Sequence, residues 1–223
     1  MASPTVPKVA SASTTRNQAL DFTKGGLVLL MVLYHWLNYF VPSEVEVYRY
    51  LRFLTPAFIF ITGFLVSSVY LSRRHYAGLA GRLATRGAKL LAIFAALNLA
   101  IGLLVSRSHA SLWKADALVN IFVIGNTNVD GIKTAAFYVL VPISYMLLVS
   151  AVLLVFHKRW TRIFDVTFIA LLFGRVLLDL VGYGSPNLDM LTIGFLGVLL
   201  GRVPGHMIER ITDYRILLAL AYV

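Results

Sequence analysis

The chain has 223 residues, of which 59% are hydrophobic, and its mean hydropathy is +0.79. Only 13% of the residues are charged, about half the ~25% that is usual in soluble domains. This composition excludes an ordinary water-soluble domain. The chain contains no cysteine, which excludes disulfides, thiolate metal sites and a cysteinyl acyl-enzyme.

The first 19 residues are rich in Ala, Ser, Thr and Pro and contain no apolar run. They predict a disordered cytoplasmic tail. The apolar run that follows is too long for the core of a signal peptide, and we expect it to remain as an uncleaved anchor. Residues 20–223 are therefore predicted to form one transmembrane domain.

Apolar runs recur along this domain, and several reach the ~20 residues that a spanning helix requires. We predict an all-α, polytopic transmembrane helical bundle with six spans and the start of a seventh. Since the chain stops within the seventh, we expect the domain to be C-terminally incomplete. The predicted spans are 22–41, 53–71, 90–105, 135–156, 164–183 and 188–201, and the seventh starts near Ile216.

The basic residues that produce the net charge of +10 fall mostly in alternate connections. This bias is the positive-inside pattern, which predicts a cytoplasmic N-terminus. It also makes the lipid bilayer, not nucleic acid, the expected partner. The predicted cytoplasmic basic residues are Lys8, Arg16, Lys24, Arg73, Arg74, Arg82, Arg86, Lys89, Lys158, Arg159, Arg162, Arg202, Arg210 and Arg215.

The first span carries ionisable residues on one face. Helical geometry places Asp21, Lys24 and His35 in line, with Asn38 and Tyr39 at the edges, and separates Lys24 from His35 by about 16 Å. Ionisable groups inside a membrane usually face protein or an aqueous path. Imidazole can take a proton from a hydroxyl or amine, although a lone histidine can also serve only in packing. Asp21 and Lys24 could equally form a local ion pair.

A second set of basic residues, Arg82, Arg86 and Lys89, recurs at i, i+4 and i+7 on one helical face. Taken individually, they are typical of the basic residues that fix the orientation of a span in the membrane. Together they could hold a polyphosphate, because guanidinium groups bind phosphate oxygens with paired donors.

The longest connection, 106–134, is predicted to be external. Its apolar piece Ala117–Gly125 is too short to cross a bilayer and could be re-entrant or interfacial. The sequence that follows it, 126–131, is typical of a turn-rich loop. Three residues of this connection could bind a polar acceptor: Trp113, Asp116 and Asn120.

Three further patterns predict structural features. Pro142 is expected to kink the fourth span. Arg175 and Asp179 are expected to neutralise each other within the fifth span, and Gly197-x-x-x-Gly201 to permit close helix approach. We predict no metal site, because the other histidines lack metal-ligand spacing; they are His75, His109, His157 and His206.

In order along the chain, these residues resemble the acyltransferase-3 family of membrane enzymes, which includes relatives that succinylate glucans or acetylate heparan glucosamine. The resemblance rests on Asp21, Lys24-Gly25 and His35, on Pro56–Leu65 with its Thr62-Gly63-Phe64-Leu65 ending, and on Arg86-Gly-Ala-Lys89. Lysine stands at position 24 where the family more often has arginine, so the charge is kept and the bidentate fork is lost.

The resemblance implies about ten spans and transfer of an acyl group, often acetyl from acetyl-CoA, to an extracytoplasmic acceptor. It implies that His35 is the catalytic base. Lys24, Arg82, Arg86 and Lys89 would hold the phosphates of the acyl-CoA donor.

The leading hypothesis is therefore a multi-pass acyltransferase of a bacterial inner membrane, acting on a hydroxyl or amine of a glycan or small-molecule acceptor. The alternative is a proton-coupled transporter or flippase that uses the Asp21, Lys24 and His35 stripe. A third hypothesis is a non-catalytic membrane scaffold. Consumption of acyl-CoA would separate the enzyme from the transporter.

Overall fold

The computed structural model describes residues 18–40, 53–71, 78–105, 118–126, 128–129, 132–133, 135, 137–157, 160–204 and 207. The chain divides into two units, Met1–Val45 and Glu46–Val223, and each is considered by itself. The predicted seventh span and residues 1–17 of the predicted tail lie outside the described residues.

The described residues of the first unit form the long helix α1 (Gln18–Phe40). Its 23 residues contain no proline, and Asp21 lies in its first turn, where a carboxylate complements the helix dipole. Large apolar side chains such as Phe22 and Leu29 are exposed along it. The helix is continuous through the predicted first span, so Asp21, Lys24 and His35 do share one regular helix.

The described residues of the second unit are helical apart from two short strands. Among them are the helices α2 (Leu54–Leu65), α3 (Leu79–Val105), α4 (Leu140–His157), α5 (Ile163–Leu180) and α6 (Pro186–Leu200). The described part also contains π-helical stretches at Val66–Leu71 and Asn120–Ile124, and β1 (Asn128–Val129) pairs antiparallel with β2 (Ile132–Lys133). The described chain is thus all-α in class, with one minimal β-hairpin.

Two described helical segments are long and apolar enough to cross a membrane: Leu79–Ile101 in α3, and α4. Two shorter apolar helices, Leu54–Ser68 and Pro186–Leu200, lie within predicted spans. The fifth predicted span coincides with α5, which carries Asp165, Arg175 and Asp179. Length and composition therefore support two spans directly, and the predicted six are not established by these criteria.

Helices α2 and α6 cross at glycines. A Cβ on Gly63 would overlap the carbonyl oxygen of Gly194 and lie 2.8 Å from its carbonyl carbon. On the facing helix, a Cβ on Gly197 would lie 3.0 Å from the carbonyl carbon of Phe60, and one on Gly201 would lie 2.7 Å from the carbonyl oxygen of Phe64. The two backbones are in direct contact, as predicted for Gly197-x-x-x-Gly201.

Helices α3 and α4 are antiparallel neighbours. Ser144 donates a hydrogen bond to the carbonyl of Gly87, and the Cβ position of Gly87 also faces Leu148. The main core of the second unit is formed by buried residues of α3, α4, α5, α6 and the π-helical stretch Val66–Leu71. They are Val66, Leu71, Leu83, Met146, Leu147, Ala151, Phe164, Phe195 and Val198.

Three features differ from the sequence-based expectation. Helix α3 begins at Leu79, eleven positions before the predicted span at 90. Pro142 lies in the first turn of α4, where a missing N–H leaves no helical bond unmade, so the predicted kink within the helix is wrong. The predicted turn-rich loop at 126–131 contains β1, whose Asn128 and Val129 pair with Lys133 and Ile132 of β2.

Candidate functional site

The polar stripe of α1 begins with an ion pair. Lys24 Nζ lies 3.2 Å from Asp21 Oδ1, and both side chains are 35% exposed. The local i, i+3 pair is therefore present. His35, Asn38 and Tyr39 occupy positions on α1, but their side chains lie outside the described part of the structure.

The second basic set forms one exposed face of α3. Arg82, Arg86 and Lys89 are exposed, whereas Leu83 and Gly87, one position further along the helix in each case, are buried against α4. One residue corresponds to about 100° of rotation. The three basic side chains, which we call the basic stripe, therefore flank the α3–α4 contact.

The basic stripe lies deeper than the end of the neighbouring helix. Gly87 faces Ser144 and Leu148, and Leu148 is at the midpoint of α4. Arg86, which precedes Gly87, is thus level with the middle of an apolar helix of spanning length. The sequence alone predicted a cytoplasmic connection for these residues, because the predicted third span begins only at residue 90.

At the opposite end of the bundle, Asn187 organises the π-helical Asn120–Ile124 segment. Its side-chain amide donates to the carbonyls of Ile121 and Phe122 at 3.2 and 3.0 Å, and Tyr138 donates its phenol to the Asn187 Oδ1. Tyr145 donates to the carbonyl of Phe122 at 2.8 Å. Since π-helical turns leave ordinary i→i−4 carbonyls unpaired, these side chains supply the missing donors.

The segment ends at Gly125, whose φ of +90° is unfavourable for residues with a side chain. A Cβ there would also lie 2.7 Å from the Asn187 backbone nitrogen. The predicted interfacial piece is a hydrogen-bonded turn. Asn120 contributes to this turn through its backbone carbonyl, which accepts hydrogen bonds from the N–H groups of Gly125 and Asn126.

Arg175 of α5 forms ion pairs both within its own helix and with α6. Its Nε lies 3.7 Å from Asp179, the predicted partner, and 2.9 Å from Asp189 of α6. A second ion pair connects Arg202 with Asp165 at 2.5 Å. The Arg175–Asp179 pair is confirmed, but sequence spacing missed Asp189, which becomes a neighbour only when α5 and α6 pack together.

Several predicted residues are not described. Trp113, Asp116, His75, His109 and His206 lie outside the described residues, whereas His157 packs edge-on against Phe164 with ring centroids 5.6 Å apart. Within the described part, no group of three or more His, Cys, Asp or Glu side chains could hold a metal ion.

The geometry defines a helical protein with apolar helices of membrane-spanning length and clustered basic side chains alongside them. A family model for an acyltransferase domain, that of the acyltransferase-3 family, matches residues 17–223. The chain belongs to the acyltransferase-3 family. Comparison with curated proteins and comparison with solved structures gave no match.

Proposed function

We propose that the protein is a multi-pass enzyme of a bacterial inner membrane that moves an acyl group, typically acetyl, from cytoplasmic acyl-CoA to an extracytoplasmic acceptor. The acceptor would be a hydroxyl or amine of a glycan or small molecule. The observation that supports this most directly is the family match, which includes His35, Lys24 and the basic stripe in one domain.

In the proposed reaction, the His35 imidazole takes the proton from the acceptor hydroxyl or amine. The acceptor oxygen or nitrogen forms a bond to the thioester carbonyl carbon, and the carbon–sulfur bond breaks. The proton held by His35 passes to the departing CoA thiolate. The products are the acylated acceptor and free CoA, and no metal is needed.

The donor's phosphates would be bound by Lys24, Arg82, Arg86 and Lys89. The position of the basic stripe supports its part in this role, because Arg86 lies level with the middle of α4. Cationic groups at such a depth usually face an anionic group or an aqueous cavity. Asp21 would orient Lys24 through its ion pair at 3.2 Å, and Asn38 and Tyr39 would support the acceptor end of α1.

The proposal predicts that purified protein in proteoliposomes transfers labelled acetyl from acetyl-CoA to an acceptor glycan. His35→Ala should lower this rate by about 10²–10⁴-fold, the usual contribution of general acid–base catalysis. His75→Ala, which removes a histidine of a predicted cytoplasmic connection, is the matched control and should keep the wild-type rate.

Full activity in His35→Ala would overturn the mechanism. Gradient-driven solute uptake without consumption of acetyl-CoA would instead establish the transporter hypothesis. If correctly inserted protein shows neither acyl transfer nor solute uptake, the scaffold hypothesis is favoured.

A further inference from the structure

A surface cleft of about 380 Å³ lies between the end of α4 and the start of α5. It is lined by Trp160, Thr161, Arg162, Ile163 and Val166. Trp160 is 65% exposed, so its indole is available to a ligand. Two of the lining side chains are aliphatic and three can donate hydrogen bonds, which suits an amphiphilic ligand.

The charge of Arg162 is available in this cleft. The nearest carboxylate in the first turn of α5, Asp165, is paired with Arg202, and no ion pair among the described residues includes Arg162. In sequence, Lys158 and Arg159 precede the cleft. Arg162 is also the N-cap residue of the 18-residue helix α5 without a side-chain cap hydrogen bond. The positive end of the helix dipole therefore adds to the basic charge.

The cleft is at the boundary of the apolar region. It follows directly after α4, a helix of spanning length that ends at His157, and tryptophan is typical of membrane–water boundaries. The basic residues around it place this end of the bundle on the predicted cytoplasmic side. Anionic lipids give that side of a membrane its negative surface potential.

We propose that this cleft binds the phosphate head group of an anionic phospholipid. Arg162 holds the phosphate with paired guanidinium donors. The Trp160 indole lies at the level of the glycerol backbone, and Ile163 and Val166 contact the first methylene groups of the acyl chains. This lipid site is separate from the acyl-CoA and acceptor sites proposed above.

The test uses Trp160 as the probe in a Trp36→Phe, Trp113→Phe background, since the chain has three tryptophans. The protein is placed in phosphatidylcholine bilayers with increasing amounts of brominated phosphatidylglycerol or brominated phosphatidylcholine, and fluorescence quenching is measured. We expect the anionic lipid to be preferred by about fivefold, which corresponds to one basic residue near a charged surface.

Arg162→Gln should remove most of this preference, whereas Arg162→Lys should retain it in part. The matched control is Lys133→Gln on β2, which removes one basic charge from the predicted external connection and should leave the preference unchanged. Equal quenching by the two lipids, or an unaltered preference in Arg162→Gln, would overturn the proposal. Loss of the preference on addition of CoA would also overturn it, because the cleft would then bind the nucleotide part of the donor.

Discussion

At the scale of single residues, the glycines between α2 and α6 have a mechanical role. Gly63 belongs to the Thr62-Gly63-Phe64 motif, and its Cβ position is occupied by the backbone of Gly194. Thr62 uses its hydroxyl within α2, donating to the Phe58 carbonyl at 2.8 Å. In this structure the motif therefore holds two helices together, and its glycine is required by backbone contact.

Gly63→Ala should lower the free energy of unfolding by about 1–3 kcal/mol or more, because the neighbour that must move is backbone and not a flexible side chain. Thermal unfolding in detergent measures the effect. Gly174→Ala on α5 is the matched control. Beyond the adjacent backbone of α5, no atom lies within 4 Å of its added Cβ, so the higher helix propensity of alanine should leave stability equal or raise it by about 1 kcal/mol. Equal melting temperatures for the two variants would contradict the role given to Gly63.

At the scale of elements, α3 is a helix with two different faces. Leu83, Gly87 and Phe94 are buried, while the basic stripe is exposed beside them. Hydropathy averages the two faces, and for that reason the predicted span begins at residue 90 and not at Leu79. The periodic spacing of Arg82, Arg86 and Lys89 nevertheless predicted correctly that they share one face.

Arg86→Gln should weaken binding of acetyl-CoA by about tenfold or more, the effect of losing one charge-assisted hydrogen bond. Acetyl-pantetheine lacks the nucleotide phosphates, so its turnover should be unaffected by the same change. Comparison of KM for the two donors separates a phosphate contact from a general structural defect. Thr85→Val, a neighbouring exposed position whose hydroxyl bonds only within α3, is the control. A similar loss for both donors would argue against a phosphate contact.

Other elements show which information a single sequence contains. The apolar runs predicted α2, α4, α5 and α6 within a few residues, because a run of apolar residues is a local feature of the sequence. The contacts of Asn187 with Ile121 and Phe122 were missed, since those partners are about 65 positions away and no periodicity connects them. Asp189 was missed for the same reason.

At the scale of the whole second unit, polar groups separate toward the two ends of the α4–α5–α6 bundle. One end contains Asn187, Ser185 and the Asn120–Ile124 segment, which Ser185 also contacts by donating to the Ile124 carbonyl at 3.1 Å. The other end contains Arg162 and the Asp165–Arg202 pair. The predicted topology makes the first end external and the second cytoplasmic. Because α5 connects the two ends, its termini give the sharpest test.

The absence of cysteine from the chain allows single-cysteine labelling without removing native thiols. Tyr183→Cys, after α5, should react with a membrane-impermeant maleimide in intact cells, because Tyr183 is 69% exposed at the predicted external end. Thr161→Cys, before α5, should react only after permeabilisation. The reverse pattern would show that the bundle is inverted, and acyl-CoA could not then enter at the basic end. Labelling of both sites in intact cells would mean that α5 does not cross the membrane.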